Sequence, residues 1–145
     1  NTVLAAEEAT KYWGRFRRAN FQADGSINDA ISHTCCLTAM DLKANAILTA
    51  SQSGRTARSI SRFRPAGPIV ALTTTERTRR QLAITWGVHP FLSGSVDSTD
   101  RLFSLCVECA RKEGVVSPGD TVVITAGVPI GLSGSTNLIK AQVVG

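Results

Sequence analysis

The fold is decided by residues 46–73, which read AILTASQSGRTARSISRFRPAGPIVALT. Residues 46–50 and 69–73 are short uncharged apolar runs, the pattern of strands covered on both faces of a parallel sheet. Between them, residues 53–64 predict a helix that stops at Pro65, because proline is not tolerated in a helix interior. The stretch therefore predicts a strand, a crossover helix and a second, parallel strand.

The same alternation extends in both directions along the chain. Ser26 is predicted to cap a helix that runs to about Leu42, since apolar residues recur at helical spacing behind it. The elements predicted after residue 73 are a helix from Thr75 to Gly87, a strand at residues 88–92, a helix capped by Asp97 or Ser98 that runs to Gly114, a strand at residues 121–125, a loop at residues 126–136 and a strand at residues 138–144.

Three helical crossovers require a parallel sheet with helices on both faces. The last connection has no helical pattern, which favours an antiparallel strand at the sheet edge. The predicted fold is a three-layer α/β/α domain with a five-stranded, mostly parallel sheet whose last strand is antiparallel. We assign residues 26–145 to this domain and residues 1–25 to a separate helix and a polar linker.

The composition, 43% hydrophobic and 19% charged over 145 residues, is typical of a globular chain with one core. No apolar run approaches the roughly 18–20 residues of a membrane span. The start of the chain lacks the basic and apolar regions of a signal peptide, so we expect a cytoplasmic protein. The first residue is Asn1, which we interpret as the start of a cut or processed chain.

Four cysteines raise the question of a metal site: Cys35, Cys36, Cys106 and Cys109. A four-cysteine zinc site usually has two C-x-x-C pairs, and this chain has one. We therefore predict free thiols on buried helix faces and no metal site.

A candidate anion site lies where the first strand of the sheet passes into a helix. Backbone N–H groups and a partial positive charge meet at a helix N-terminus, which suits a phosphate. The predicted phosphate-binding residues are Ser51, Gln52, Ser53, Gly54, Arg55 and Thr56. The turn matches neither a Walker A loop nor G-x-G-x-x-G, and an ordinary polar turn with a capping serine is the alternative.

A second candidate is the Gly/Ser-rich loop that follows the fourth strand. Its predicted effector-binding residues are Gly127, Gly131, Ser133, Gly134 and Ser135. If the first and fourth strands are neighbours, this loop and the first one border the same crevice. A long hairpin connection is the alternative, although loops of this length are more often functional.

The formal charge of +5 is concentrated between residues 55 and 80, where Glu76 is the one acid among seven arginines. Such a cluster attracts phosphates. Nucleic acid is the weaker interpretation, because Phe63 is the one aromatic residue in the cluster. His33 lies inside a predicted helix and His89 in a short strand beside Pro90, so both are predicted to be structural and no catalytic residue is predicted.

Seven short motifs follow one another along the chain. They are residues 27–31 (INDAI), 46–49 (AILT), 53–57 (SGRTA), 62–73 (RFRPAGPIVALT), 86–88 (WGV), 119–129 (GDTVVITAGVP) and 131–137 (GLSGSTN). Together they resemble the C-terminal α/β domain of pyruvate kinases, bacterial type. The likeness covers nearly the whole chain and is weakest before Ser26.

The resemblance implies a parent enzyme that transfers phosphate from phosphoenolpyruvate to ADP in glycolysis, with Mg²⁺ and K⁺ in a barrel domain that these residues lack. It implies a linker from that barrel at residues 1–25, a homotetramer, and an allosteric effector held at residues 51–56. The last loop lacks the Trp and Arg that fructose-1,6-bisphosphate-regulated animal members carry. We therefore expect a sugar or nucleoside monophosphate as effector, and neither nucleic acid nor a membrane as partner. A free-standing domain that acts on or senses a phosphorylated metabolite is the alternative.

Overall fold

The computed structural model describes residues 26–50, 53–127 and 136–145. Within them lie four helices and five strands: α1 (Ile27–Leu42), β1 (Ala46–Ala50), α2 (Arg55–Arg62), β2 (Ile69–Thr73), α3 (Glu76–Leu82), β3 (Val88–Leu92), α4 (Thr99–Lys112), β4 (Thr121–Gly127) and β5 (Thr136–Val143). The helix and linker predicted in residues 1–25 lie outside the described residues.

The five strands form one sheet in the order β3-β2-β1-β4-β5. All neighbours are parallel except β5, which pairs with β4 in the antiparallel sense. The predicted mostly parallel sheet with an antiparallel last strand is confirmed. The chain winds outward from β1 to β3 and then crosses to β4, so the direction of winding reverses between β1 and β4.

The sheet separates two apolar clusters, as alternation along the strands requires. In β1, Ile47 packs with residues of α1, α2 and α3, whereas Leu48 packs with residues of α4 on the opposite face. Within the described residues, three helices therefore cover one face and one helix covers the other. This arrangement confirms the α/β/α layers.

Two helices begin at the serines that the sequence predicts. Ser26 Oγ accepts a hydrogen bond from the Asp29 N–H at 3.1 Å, and Ser98 Oγ accepts one from the Arg101 N–H at 3.1 Å. Ser98 rather than Asp97 therefore caps α4. A side-chain oxygen at this position satisfies one of the N–H groups that a helix leaves unpaired at its start.

Two helices are shorter than predicted. The second begins at Arg55 rather than residue 53, because Gly54 has the left-handed φ of 76° and lies outside the helix. The third ends at Leu82 rather than Gly87. Ile84 and Trp86 continue the apolar pattern in sequence, but Ile84 is 91% exposed and does not pack on the core.

The cysteine pairs lie on opposite faces of the sheet. Cys35 and Cys36 belong to the cluster under α1, and Cys106 belongs to the cluster under α4. Burial raises the pKa of Cys35 and of Cys106 to about 12. The four cysteines therefore do not converge on one zinc ion, and the three fully buried thiols stay protonated at neutral pH.

Candidate anion-binding site

The turn between β1 and α2 lies at the carboxyl edge of the sheet, beside the point where the winding reverses. Ala50 ends β1 and is in register with Ala126, near the end of β4. The chain segments that follow both strands therefore leave from adjacent positions on the same edge. Open α/β sheets bind ligands in the crevice at this position.

Gly54 allows the backbone of this turn to lie against α3. A Cβ atom at Gly54 would stand 3.0 Å from Thr78 Cγ2, 3.1 Å from Leu82 Cδ2 and 3.0 Å from Arg58 Nη1. Those distances are closer than an ordinary carbon contact allows. Both the φ of 76° and the lack of space therefore require glycine at this position.

The N-terminus of α2 carries no negative charge of its own. Its first turn contains no acid, and its first residue is the exposed Arg55. The other three described helices each have an acid in the first turn, namely Asp29 in α1, Glu76 in α3 and Asp100 in α4. The partial positive charge at the start of α2 is thus not balanced by an acid in its own first turn.

The backbone around Ser53 is held by two contacts within the turn. The Arg55 N–H donates to Ser53 Oγ across a long 3.4 Å, and Arg58 Nη2 donates to the Ser53 carbonyl oxygen at 3.1 Å. The first contact is weak enough for a phosphate oxygen to replace it. The role of Arg58 was missed from the sequence, because its partner is a backbone oxygen that carries no sequence signal.

Thr56, the last residue of the predicted phosphate site, is buried. Its side chain is 2% exposed and points into the protein beneath α2 rather than toward solvent. Ser51 and Gln52 lie outside the described residues. At the surface, the described part of the turn therefore presents the half-buried Ser53 and the exposed Arg55, whereas Gly54 is buried.

A second polar group lies beneath the same edge of the sheet. Thr49 is fully buried next to the end of β1, on the face that α2 covers, and its Oγ1 has no hydrogen-bond partner among the described residues. Its register neighbour Thr125 donates to the Leu138 carbonyl oxygen at 2.9 Å. An unsatisfied buried hydroxyl costs about 1–3 kcal/mol.

Of the second predicted loop, the structure describes the two ends. Gly127 ends β4 and pairs with Thr136, where the β4–β5 register shifts. Gly131, Ser133, Gly134 and Ser135 lie outside the described residues. The neighbouring positions of β1 and β4 confirm the condition under which both loops border one crevice.

The two histidines lie in separate elements, His33 in α1 and His89 in β3. His33 makes an edge-on contact with the Phe63 ring, with 5.4 Å between centroids, and burial lowers its pKa from 6.5. His89 lies in the edge strand β3. Within the described parts of the chain, no three His, Cys, Asp or Glu side chains cluster so that they could hold a metal ion. None of the helices described there is both long and apolar enough to cross a membrane.

Comparisons with known proteins agree with this fold. A family model described as "Pyruvate kinase, alpha/beta domain" matches residues 29–142. The chain is 50% identical over 117 residues to the pyruvate kinase of Clostridium acetobutylicum, which covers 81% of the chain and 25% of that protein. It is 41% identical over 145 residues to that of Staphylococcus aureus, covering 100% of the chain and 25% of the relative. It is 38% identical over 142 residues to that of Geobacillus stearothermophilus, covering 98% and 24%. The chain thus spans about a quarter of the length of these relatives.

Proposed function

The chain belongs to the pyruvate kinase family and contains its α/β domain, and from this premise we propose that it is the regulatory domain of a pyruvate kinase. The parent enzyme would transfer phosphate from phosphoenolpyruvate to ADP, giving pyruvate and ATP. The role of this α/β domain would be to bind a phosphorylated effector at the β1–α2 turn. The observation that carries this proposal is the N-terminus of α2, which lacks an acid and lies at the reversal point of the sheet.

A phosphoryl group at this turn has three kinds of donor available. Backbone N–H groups of the first turn of α2 point along the helix axis toward it. Ser53 adds a hydroxyl, and the Arg55 guanidinium is exposed beside it. A guanidinium binds phosphate through two parallel hydrogen bonds, so Arg55 would contribute most of the charge. Ser51 would add a second hydroxyl.

The proposed effector is a sugar or nucleoside monophosphate. The segment between β4 and β5 would border the same crevice, because β1 and β4 are neighbours, and residues 128–130 read Val-Pro-Ile. This segment carries neither Arg nor Trp, so it offers no cation for a second phosphoryl group. Gly127, Gly131, Ser133, Gly134 and Ser135 would approach the remainder of the effector through their backbone.

The effector would regulate activity by binding one conformation of the enzyme more tightly than the other. Arg58 ties the Ser53 carbonyl to α2, so a phosphoryl group bound at the turn would act on this helix directly. We place the catalytic residues and the Mg²⁺ and K⁺ sites in a barrel domain outside this chain. We further propose a cytoplasmic homotetramer in which this domain takes part in the contacts between subunits.

Calorimetry of the 145-residue chain with AMP, ribose 5-phosphate and fructose 1,6-bisphosphate tests the proposal. We expect a monophosphate to bind, and expect Arg55→Ala and Ser53→Ala each to weaken it by about tenfold or more, since hydrogen bonds to a charged group contribute about 1.5–3 kcal/mol. Arg77→Ala, at an exposed position of α3, is the matched control. Unchanged affinity in both turn variants would overturn the site assignment.

A further inference from the structure

A groove lined by four arginines runs along the outer surface of α2. We call it the arginine groove; its volume is about 570 Å³. The side chains used in the argument are Arg55, Arg58, Arg62, Arg64, Asp29 and Trp86. Cavities of about 300–1,000 Å³ are the size that small-molecule ligands occupy.

The charge in the arginine groove is unbalanced. Arg62 Nη2 lies 3.3 Å from Asp29 Oδ1, with the Arg62 side chain 66% exposed. Among the described residues, the other three arginines of the groove have no carboxylate within 4.0 Å. Four cations therefore face one carboxylate. Their mutual repulsion favours binding of an anion that carries several charges.

The spacing of the arginines sets the size of that anion. Arg55, Arg58 and Arg62 follow one another by three and four residues, so they lie on one face of α2. At a rise of 1.5 Å per residue, the backbone positions of Arg55 and Arg62 are about 10.5 Å apart. One phosphate ion is too small to contact both ends of this row, whereas a chain of linked phosphates extends along it.

Arg64 and Trp86 form a part of the arginine groove that is held in place before any ligand binds. The guanidinium carbon of Arg64 lies 4.6 Å from the centroid of the Trp86 ring, in the geometry of a cation–π contact. Ser61 Oγ donates to the Trp86 carbonyl oxygen at 2.6 Å, which ties this part of the groove to α2. Arg64 is thus held in place before a ligand arrives, which lowers the entropy lost on binding.

We propose that the arginine groove binds a small molecule with two or more linked phosphoryl groups. Guanidinium groups match phosphate oxygens in pairs, and the groove has the volume of a small-molecule site. Nucleic acid fits less well, because single strands need several exposed aromatic rings for stacking and Trp86 is the one ring that lines the groove, with Arg64 already against it. The proposal does not depend on a monophosphate effector at the β1–α2 turn.

The test uses inorganic tripolyphosphate, pyrophosphate and orthophosphate in calorimetric titrations of the 145-residue chain. We expect tripolyphosphate to bind at least tenfold more tightly than orthophosphate. Arg64→Gln, which leaves the Arg62–Asp29 pair intact, should weaken tripolyphosphate binding by about tenfold. Arg77→Gln, outside the groove, should not change it. Equal affinities for the wild-type chain and Arg64→Gln, or for tripolyphosphate and orthophosphate, would overturn the proposal.

Three further measurements separate this proposal from others. Arg55 borders both sites, so the sites are distinguished through residues that they do not share: Ser53→Ala should weaken monophosphate binding and leave tripolyphosphate binding unchanged, and Arg64→Gln should do the reverse. The arginine Nε–H resonances of the wild-type chain should shift with tripolyphosphate even if a variant does not fold; no shift of Arg58, Arg62 or Arg64 would contradict the assignment. Tighter binding of a single-stranded oligonucleotide than of tripolyphosphate would identify a nucleic-acid surface instead.

Discussion

The β1–α2 and β2–α3 turns occupy equivalent positions and have opposite electrostatics. Both leave adjacent parallel strands at the same edge of the sheet and enter helices on the same face. The β2–α3 turn places Glu76 in the first helical turn, where it accepts hydrogen bonds from Arg79. The β1–α2 turn has Gly54 and Arg55 there and no acid. One helix start thus faces a carboxylate of its own first turn, and the other has none, which is the difference on which the proposed anion site rests.

The largest effect should follow from placing a side chain at Gly54. Gly54→Ala combines a left-handed φ with contacts near 3.0 Å, and we expect a loss of about 2–4 kcal/mol in the free energy of unfolding. Gly87→Ala is the control, because its φ is 71° but nothing lies within 4 Å of the added Cβ; its cost should be about 1 kcal/mol. Urea denaturation measures both. Equal losses would show that the packing of α3 against Gly54 is unimportant.

An acid at the start of α2 should remove the difference between the two turns. Arg55→Glu replaces a cation by a carboxylate beside the same N–H groups, so monophosphate affinity should fall by more than tenfold. Arg77→Glu adds the same charge change in the first turn of α3 and should leave affinity within about twofold, because its exposed side chain is screened by salt. Calorimetry checks both variants. A similar loss in the two would indicate a general charge effect rather than a site at α2.

Glu76→Gln tests the β2–α3 turn, in which the carboxylate of Glu76 lies in the first turn of the helix. The pKa of Glu76 is lowered in the folded chain, mainly by the hydrogen bond from Arg79. The ionised Glu76 therefore stabilises the fold above the unfolded pKa near 4.5. This stabilisation is lost as the pH falls through the lower pKa of the folded state. The variant should melt at a slightly lower temperature at pH 7 and lose less stability on acidification below 4.5. Identical melting curves from pH 7 to 3 would show that the pair contributes nothing.

The smallest effect should come from His33 of α1, which contacts Phe63 at the C-terminal end of α2. Burial lowers its pKa below 6.5, so the unfolded chain binds the proton first and stability falls as pH drops below about 6.5. His33→Phe should remove this dependence between pH 7 and 5.5, above the range in which Glu76 titrates. Thermal melts across that range measure it. If the loss of stability on acidification persists unchanged in the variant, another group causes it.

The sequence predicts those parts of the fold that depend on local chemistry. Pro65, the capping Ser26 and the uncharged runs 46–50 and 69–73 each act through the residues next to them. The end of α3 was predicted too late, because Ile84 is apolar yet faces solvent. The packing of Gly54 on α3 arises only when two separate helices meet, so no local sequence pattern predicts it. The contact of Arg58 with the Ser53 carbonyl is local, but its acceptor is a backbone oxygen that every residue carries.

A phosphate site at the start of α2 can be observed by titrating the ¹⁵N-labelled 145-residue chain with a monophosphate and following its amide resonances. The amides of Ser53, Gly54 and Arg55 should shift and saturate together, while those at the start of α3 stay in place. Shifts confined to other helix starts, or no saturable shift at residues 53–55, would contradict the proposed site.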